Sequence, residues 1–211
     1  MRYIYLHGFA SGRGSTKGRY FRRKFQEIGK DLELTDLTEN DFEHTTLSRQ
    51  LSLVKHLLKG CTEDVCMIGS SLGGWLAALL AEDIQQVCRL VLLAPAFGFV
   101  GRQSQILGPA RLKEWKQRGV LPVYHYGTRR TQQLHYAFYE DALKHEQRVV
   151  RRRLPALVFH GIFDESVPYS LSVEYLKRNP QARVVLLAAD HSLIDQLEGI
   201  WDMMVAFLHL P

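Results

Sequence analysis

The sequence predicts an α/β fold in which a mostly parallel sheet is flanked by helices. Strand-like and helix-like stretches alternate from the first residue to the last, as in chains that connect parallel strands through helices. Three apolar runs, Val65–Ile68, Leu90–Leu93 and Ala156–Phe159, show no polar alternation, which is typical of strands covered on both faces. The composition, 46% hydrophobic and 23% charged over 211 residues, fits one globular domain spanning 1–211 and excludes a disordered, collagen-like or coiled-coil chain.

The individual elements follow from local composition and spacing. Arg2–Leu6 is rich in strand-forming residues, and Thr16–Gly29 carries aromatic and aliphatic residues at helical spacing. Asp31–Leu37 alternates imperfectly and predicts a second strand, whereas the leucines of Thr45–Lys59 form the single stripe of an amphipathic helix. Val184–Leu187 resembles the three apolar runs and is expected to be covered on both faces as well. Further helices are predicted over Leu72–Glu82, Tyr169–Arg178 and Ser192–His209.

Residues 97–150 interrupt this alternation. They contain no buried-strand run, and helical spacing is recognisable only around Trp115 and from Leu134 through Leu143. Structureless loops of this length are uncommon in compact domains, so we expect a cap or lid insertion within the single domain. Its aromatic and basic residues include the candidate substrate-binding side chains: Trp115, Tyr136, Arg129 and Arg130.

The net charge of +5 is unevenly distributed. Residues 98–153 hold twelve Lys and Arg against four Asp and Glu, and Arg13 to Lys24 holds six cations and no acid. Because the excess is confined to two segments, nucleic-acid binding is not implied. Either these cations form a solvated face, or they attract an anionic group on a small-molecule substrate.

The sequence offers no sign of a membrane span, a secretory signal or a metal site. No apolar run approaches the ~18–20 residues that cross a bilayer, and the first strand follows Arg2 directly. The three cysteines form no CxxC pair, and the nine histidines form no HExxH-like pair. We therefore expect a cytoplasmic protein without metal or disulfides.

The strongest motif is Gly69-Ser70-Ser71-Leu72-Gly73, which lies where an apolar run ends and a helical stretch begins. A serine presented on a sharp strand-to-helix turn needs small residues two positions away on each side, because larger side chains would crowd the turn. Ser71 meets this requirement, whereas Ser70 does not because Ile68 precedes it by two positions. Ser71 is therefore the candidate nucleophile.

A nucleophilic serine needs a histidine base and an acid that orients the base. Asp164 follows the strand Ala156–Phe159, and His191 follows the strand Val184–Leu187. Since the carboxyl ends of parallel strands lie at one edge of a sheet, both should meet Ser71 there. Glu165 is the alternative acid, and we expect His160 to be a packed histidine.

The oxyanion of an acyl-transfer intermediate is usually bound by backbone N–H groups. The amide of Leu72 follows the nucleophile at the start of a helix, whose dipole favours negative charge. The second donor should come from the loop after the first strand, where Phe9 is the best-placed residue. Gly8, which precedes Phe9, would allow the backbone of this loop to come close to the oxyanion.

These motifs, in this order, resemble an α/β-hydrolase, and the sequence Tyr5-Leu6-His7-Gly8-Phe9 in a chain this short is similar to the short bacterial serine esterases of the YqiA type. The resemblance implies an α/β-hydrolase fold, with Ser71 as nucleophile, Asp164 as acid and His191 as base. Because the chain starts at the strand bearing His7, the first strands of larger relatives should be missing.

The implied activity is cofactor-free hydrolysis of small carboxylic esters or thioesters through an acyl-enzyme. The same three residues could instead serve an acyltransferase or a C–C bond hydrolase. A non-catalytic binding protein of the same fold is the alternative outside enzymes. The basic cap suggests a substrate with an apolar acyl group and an anionic leaving portion.

Overall fold

The computed structural model describes all 211 residues. The strands are β1 (Arg2–Leu6), β2 (Glu33–Thr35), β3 (Val65–Ser70), β4 (Val87–Leu93), β5 (Val120–His125), β6 (Arg130–His135), β7 (Ala156–Gly161) and β8 (Ala182–Leu187). The helices are α1 (Thr16–Glu27), α2 (Leu47–Leu57), α3 (Leu72–Asp83), α4 (Phe99–Arg118), α5 (Ala137–Glu146), α6 (Ser170–Arg178) and α7 (Leu197–Leu208), with one 3₁₀ turn at Ile194–Gln196. None of the helices is both long and apolar enough to cross a membrane.

Six strands form one parallel sheet in the order β2-β1-β3-β4-β7-β8. Successive side chains of the central strand β3 point to opposite faces, so that Met67 joins one core layer and Cys66 and Ile68 join the other. Helices α1 and α7 cover one face, and α2 and α3 cover the other. The continuous apolar runs of β3 and β7 are thus buried on both sides, as predicted.

The expectation for Val184–Leu187 was wrong in one respect. These residues belong to β8, which lies at the edge of the sheet and is only partly buried, with Leu186 44% exposed. The apolar run therefore predicted the strand correctly but not its burial. A strand at the edge pairs with only one other strand, and its side chains are less completely covered by the rest of the protein.

The insertion consists of α4, the antiparallel hairpin β5–β6 and α5. Helix α4 is kinked where Gly108 adopts a φ of 70° before Pro109. The hairpin corrects the expectation of a helix beginning at Leu134, which lies in β6 and accepts a hydrogen bond at its carbonyl oxygen from Trp115 Nε1 at 3.0 Å. Sequence spacing missed this strand because Leu134 is its only large apolar residue.

The insertion is tied to loops at the carboxyl edge of the sheet. The amide of Tyr126, after β5, donates to the Ala10 carbonyl oxygen at 2.7 Å, in the loop that follows β1. The Arg102 guanidinium of α4 donates to the carbonyl oxygens of Glu165 and Ser166 at 2.7 and 3.2 Å, in the loop that follows β7. The cap residues are thereby held over the edge where the candidate site residues lie.

Candidate active site

Ser71 occupies a strained turn between β3 and α3. Its backbone has φ 53° and ψ −119°, a conformation that L-residues rarely adopt and that persists only where the surroundings enforce it. A Cβ on Gly69 would overlap the Gly73 carbonyl group, and a Cβ on Gly73 would overlap the Leu6 carbonyl group of β1. The two glycines therefore let the turn pack against β1 and present the Ser71 hydroxyl at the sheet edge.

His191 lies within hydrogen-bond distance of both Ser71 and Asp164. Its Nδ1 is 2.7 Å from Asp164 Oδ2, and its Nε2 is 3.0 Å from Ser71 Oγ. A carboxylate oxygen can only accept, so Nδ1 carries the proton and Nε2 is free to accept from the Ser71 hydroxyl. Glu165, the alternative acid, is exposed. The imidazole is thus oriented to take a proton from Ser71.

The Asp164 carboxylate is surrounded by donors. Its Oδ1 accepts from the amides of Ser166 and Val167, both at 2.8 Å. Its Oδ2 accepts from His191 and also lies 3.1 Å from His160 Nε2. Burial alone would raise the pKa of Asp164, but the hydrogen bonds from both histidines and the Val167 amide hold it well below its ordinary value. The group is therefore an anion at neutral pH.

His160 is a contact of Asp164 that sequence reasoning did not assign. It is fully buried, and its Nε2 lies near two acceptors, Asp164 Oδ2 and the Val167 carbonyl oxygen at 2.9 Å. Nε2 must therefore be the protonated nitrogen, and Nδ1 accepts from the Ser172 hydroxyl at 2.7 Å. The packed histidine expected from the sequence thus also positions the acid.

The loop after β1 passes close to Ser71. A Cβ on Gly8 would lie 3.2 Å from Ser71 Cβ, which is closer than most Cβ contacts, so a glycine suits this position. The next residue is Phe9, whose amide donates no hydrogen bond within the protein. Leu72 opens α3, where the first amides lack intrahelical acceptors. Both amides are therefore available to an oxyanion.

Buried His7 fixes the start of this loop. Its Nε2 accepts from the Leu37 amide at 3.2 Å, so Nδ1 is the protonated nitrogen and donates to the Gly8 carbonyl oxygen at 2.9 Å. Burial lowers the pKa of His7, which keeps the imidazole neutral and this bonding pattern intact near neutral pH.

Two cavities adjoin the site. A cleft of about 810 Å³ contains Ser71 and His191, and a smaller apolar cavity of about 210 Å³ is lined by Phe9 and otherwise by residues of the insertion. Residues Phe9, Phe99, Gln103 and Val123 line both.

The four predicted substrate-binding residues are distributed unevenly around these cavities. Trp115 is buried and lines only the apolar cavity, while Arg129 lines only the cleft. Tyr136 packs edge-to-face on Trp115 and lines neither cavity, nor does Arg130. No feature of the sequence separates Arg129 from its neighbour, because adjacent hairpin residues of the same type differ only in the direction of their side chains.

Comparison with known proteins places the chain in a family. The profile of an uncharacterised protein family, UPF0227, matches residues 2–209. The chain belongs to UPF0227. Since the match covers nearly every residue, the cap and the sheet both lie within the family's extent.

The relatives of this UPF0227 protein include hydrolases. It is 24% identical over 232 aligned positions to the bovine (Bos taurus) mitochondrial palmitoyl-protein thioesterase ABHD10, covering 98% of this chain and 74% of the relative. Mouse α/β hydrolase domain-containing protein 10 superposes with a TM-score of 0.76 at 22% identity, over 97% of this chain and 89% of that chain.

Est1E of Butyrivibrio proteoclasticus, solved with ferulic acid bound, has the same TM-score of 0.76 at 21% identity, over 98% of this chain and 88% of Est1E. Such likenesses establish the fold, and the UPF0227 protein therefore has the α/β-hydrolase fold.

Proposed function

We propose that this protein is a serine hydrolase that cleaves small carboxylic esters or thioesters through an acyl-enzyme on Ser71. The observation that carries the proposal is the 3.0 Å contact between Ser71 Oγ and His191 Nε2 on a strained strand-to-helix turn. The name of the bovine relative, a thioesterase, supports the same reaction class. A serine and a base in this geometry are the requirement for nucleophilic acyl transfer.

In the proposed reaction the Ser71 oxygen bonds to the substrate carbonyl carbon while His191 Nε2 takes the hydroxyl proton. The Asp164 anion stabilises the resulting imidazolium, and the amides of Phe9 and Leu72 bind the oxyanion. Collapse of the tetrahedral intermediate breaks the bond to the leaving oxygen or sulfur, which receives the proton from His191. Water then attacks the acyl-enzyme by the same steps and releases the acid and free Ser71.

The apolar cavity lined by Phe9 and the insertion is the proposed site for the acyl group. Nine of its twelve lining residues are hydrophobic, and Phe9, beside the proposed oxyanion site, forms part of its wall. Burial of methylene groups stabilises a bound acyl chain by about 0.8 kcal/mol each. The cavity therefore favours an apolar acyl group of limited length.

Filling this cavity should shorten the preferred acyl chain. We expect Leu107→Trp to lower kcat/KM for octanoyl esters by about tenfold or more while changing acetyl esters little, because the cost of losing several buried methylenes grows with chain length. Kinetics on a series of 4-nitrophenyl esters from acetate to octanoate measures this. Leu143→Trp is the matched control, since Leu143 is an exposed cap leucine that lines neither cavity. A uniform effect on all chain lengths would refute this acyl site.

Labelling with a fluorophosphonate probe tests the nucleophile directly. The probe reacts with activated serines, so intact-mass and peptide analysis should find one adduct, on Ser71. Labelling should fail when His191→Ala removes the base. Absence of labelling in the native protein would favour a non-catalytic binding protein, and labelling at another serine would overturn the assignment.

A further inference from the structure

Four cations line the cleft that contains Ser71: Lys17, Arg19, Arg102 and Arg129. None of them lies within 4.0 Å of a carboxylate as an ion pair. Arg102 donates to two carbonyl oxygens of the β7 loop, and Lys17 donates to one carbonyl oxygen. Like charges gathered in a concave surface create a positive potential that attracts anions.

The only acidic residue lining the cleft is Asp190, and it is already engaged. Its Oδ1 accepts from the Ser192 amide at 2.8 Å and from the Ser192 hydroxyl at 2.6 Å. Asp190 is therefore the one anionic residue lining the cleft, against four cations.

Lys17 is held near His191. Its Nζ donates to the carbonyl oxygen of Ser192 at 2.7 Å, one residue beyond His191. Burial lowers its pKa to about 8, although the nearby carboxylates of Asp190 and Asp164 oppose this. Since an ammonium group has three N–H donors, two remain for a ligand.

The N-terminal end of α1 forms the wall around Lys17. Residues 14–17 and Arg19 line the cleft, and the first turn of α1 contains no acidic side chain. The Tyr5 ring lies directly beneath this turn, because a Cβ on Gly18 would be 3.1 Å from it. Tyr5 also borders the cleft, with its buried hydroxyl close to Ser15 and Ser70. The Gly18 amide is capped by Ser15 Oγ, whereas the Thr16 and Lys17 amides have no intrahelical acceptor and add donors to the same wall.

Arg129 reaches this wall from the cap. It lies in the β5–β6 turn, whose Tyr126 amide is bonded to Ala10 and whose Gly127 lies against Gly12. The turn thus rests on the loop that leads into α1, and Arg129 is exposed there with φ 55°. Two separate parts of the chain, α1 and the β5–β6 turn, therefore contribute cations to the lining of one cleft.

We propose that Lys17, Arg19 and Arg129 bind a phosphate or carboxylate group on the leaving portion of the substrate. The inference rests on the proposed function and adds the substrate class to it. His191 donates its proton to the leaving atom, so the leaving portion lies on the histidine side. Lys17 is hydrogen-bonded to Ser192, next to His191, and none of the three cations lines the apolar cavity. The substrate is accordingly an ester or thioester with an apolar acyl group and an anionic leaving group.

Phenyl butyrates with different para substituents test this selectivity. A carboxamide, a carboxylate and a phosphate in that position give neutral, singly charged and doubly charged leaving groups around the same ester bond. We expect the native enzyme to favour the two anionic esters in kcat/KM, with the preference falling as salt is raised. Comparing kcat/KM for the carboxylate and phosphate esters shows which of the two anionic groups the site prefers.

Charge reversal locates the site. Arg19→Glu and Arg129→Glu should each lower the ratio of anionic to neutral kcat/KM by on the order of tenfold, as expected for the loss of a charge-assisted hydrogen bond and the gain of repulsion. Arg22→Glu and Arg130→Glu are matched controls, because each makes the same charge change on the same helix or hairpin but outside the cleft. In these two variants the ratio of anionic to neutral kcat/KM should stay within about threefold of the native value, since exposed charges at a distance are screened.

The outcomes separate the inference from the proposed function. The anion site would be overturned if the ratio of anionic to neutral kcat/KM were the same in the native enzyme and in all four variants. In that case, Ser71-dependent cleavage of the neutral ester would still support the proposed hydrolase. An equal loss for the Arg19 and Arg22 variants, and for the Arg129 and Arg130 variants, would show a general field effect and would also overturn the site. Cleavage of all esters that persists in Ser71→Ala would instead refute the proposed function.

Discussion

Replacing Ser71 with alanine should lower kcat/KM for ester hydrolysis by a factor on the order of 10³ or more while leaving the fold intact. The change removes the oxygen atom that bonds to the acyl carbon to form the acyl-enzyme. Alanine keeps the same Cβ and so adds no new steric conflict in the turn, where the backbone φ is already 53°. Rates on 4-nitrophenyl butyrate, together with circular dichroism and a thermal melt, measure both parts of the expectation.

The neighbouring serine provides the control within the same motif. Ser70 is the last residue of β3, and its side chain makes no contact with His191 comparable to that of Ser71. We expect Ser70→Ala to retain activity within about tenfold of the native rate. The assignment of the nucleophile would be wrong if Ser71→Ala kept native turnover, or if Ser70→Ala were the inactive variant.

The turn at Ser71 was predictable because its cause is local. Glycines two positions away on each side are visible in the sequence, and the need for them is steric, as the overlaps at Gly69 and Gly73 show. The central strands of the sheet, including β3 before this turn, could be predicted because continuous apolar runs indicate strands that are buried on both faces. The meeting of Asp164 and His191 then depended on one topological rule about parallel strands.

Features that depend on contacts between residues far apart in the chain were harder to predict from the sequence. The β6 strand, with the sequence RTQQLH, has little strand signal of its own and exists because it pairs with β5. The bond from Lys17 to Ser192 joins residues 175 positions apart, and nothing local distinguishes Lys17 from the other cations of its helix. His160 could have been flagged only by its position four residues before Asp164, since buried histidines at strand ends are usually packing residues.

Asp164→Asn should lower kcat by about 10³ to 10⁴, because the imidazole would lose the anion that fixes its tautomer and stabilises its charged form. The surroundings of this carboxylate make the substitution unusually unfavourable. Both oxygens face donors: the Ser166 and Val167 amides on Oδ1, and two imidazole N–H groups on Oδ2. An asparagine must direct its NH₂ group at one of these pairs in either orientation, which leaves buried donors unsatisfied.

The free energy of unfolding should therefore fall as well, by about 1–3 kcal/mol at pH 7. Glu165→Gln is the matched control, because the adjacent acid is exposed and contributes only its carbonyl oxygen, to Arg102. We expect that variant to match the native enzyme in both rate and stability.

The pH dependence of this stability difference provides an independent test. The folded protein lowers the pKa of Asp164, so its anion stabilises the fold fully above the unfolded pKa of about 3.9. This contribution decreases progressively as the pH falls below that value, and it is lost completely below the folded pKa. The amide side chain of the Asp164→Asn variant does not titrate, so the difference in unfolding free energy between native protein and variant should narrow below about pH 4. Urea unfolding at pH 7 and at pH 3 measures it, and a constant difference would show that Asp164 is not held as a buried anion by its four donors.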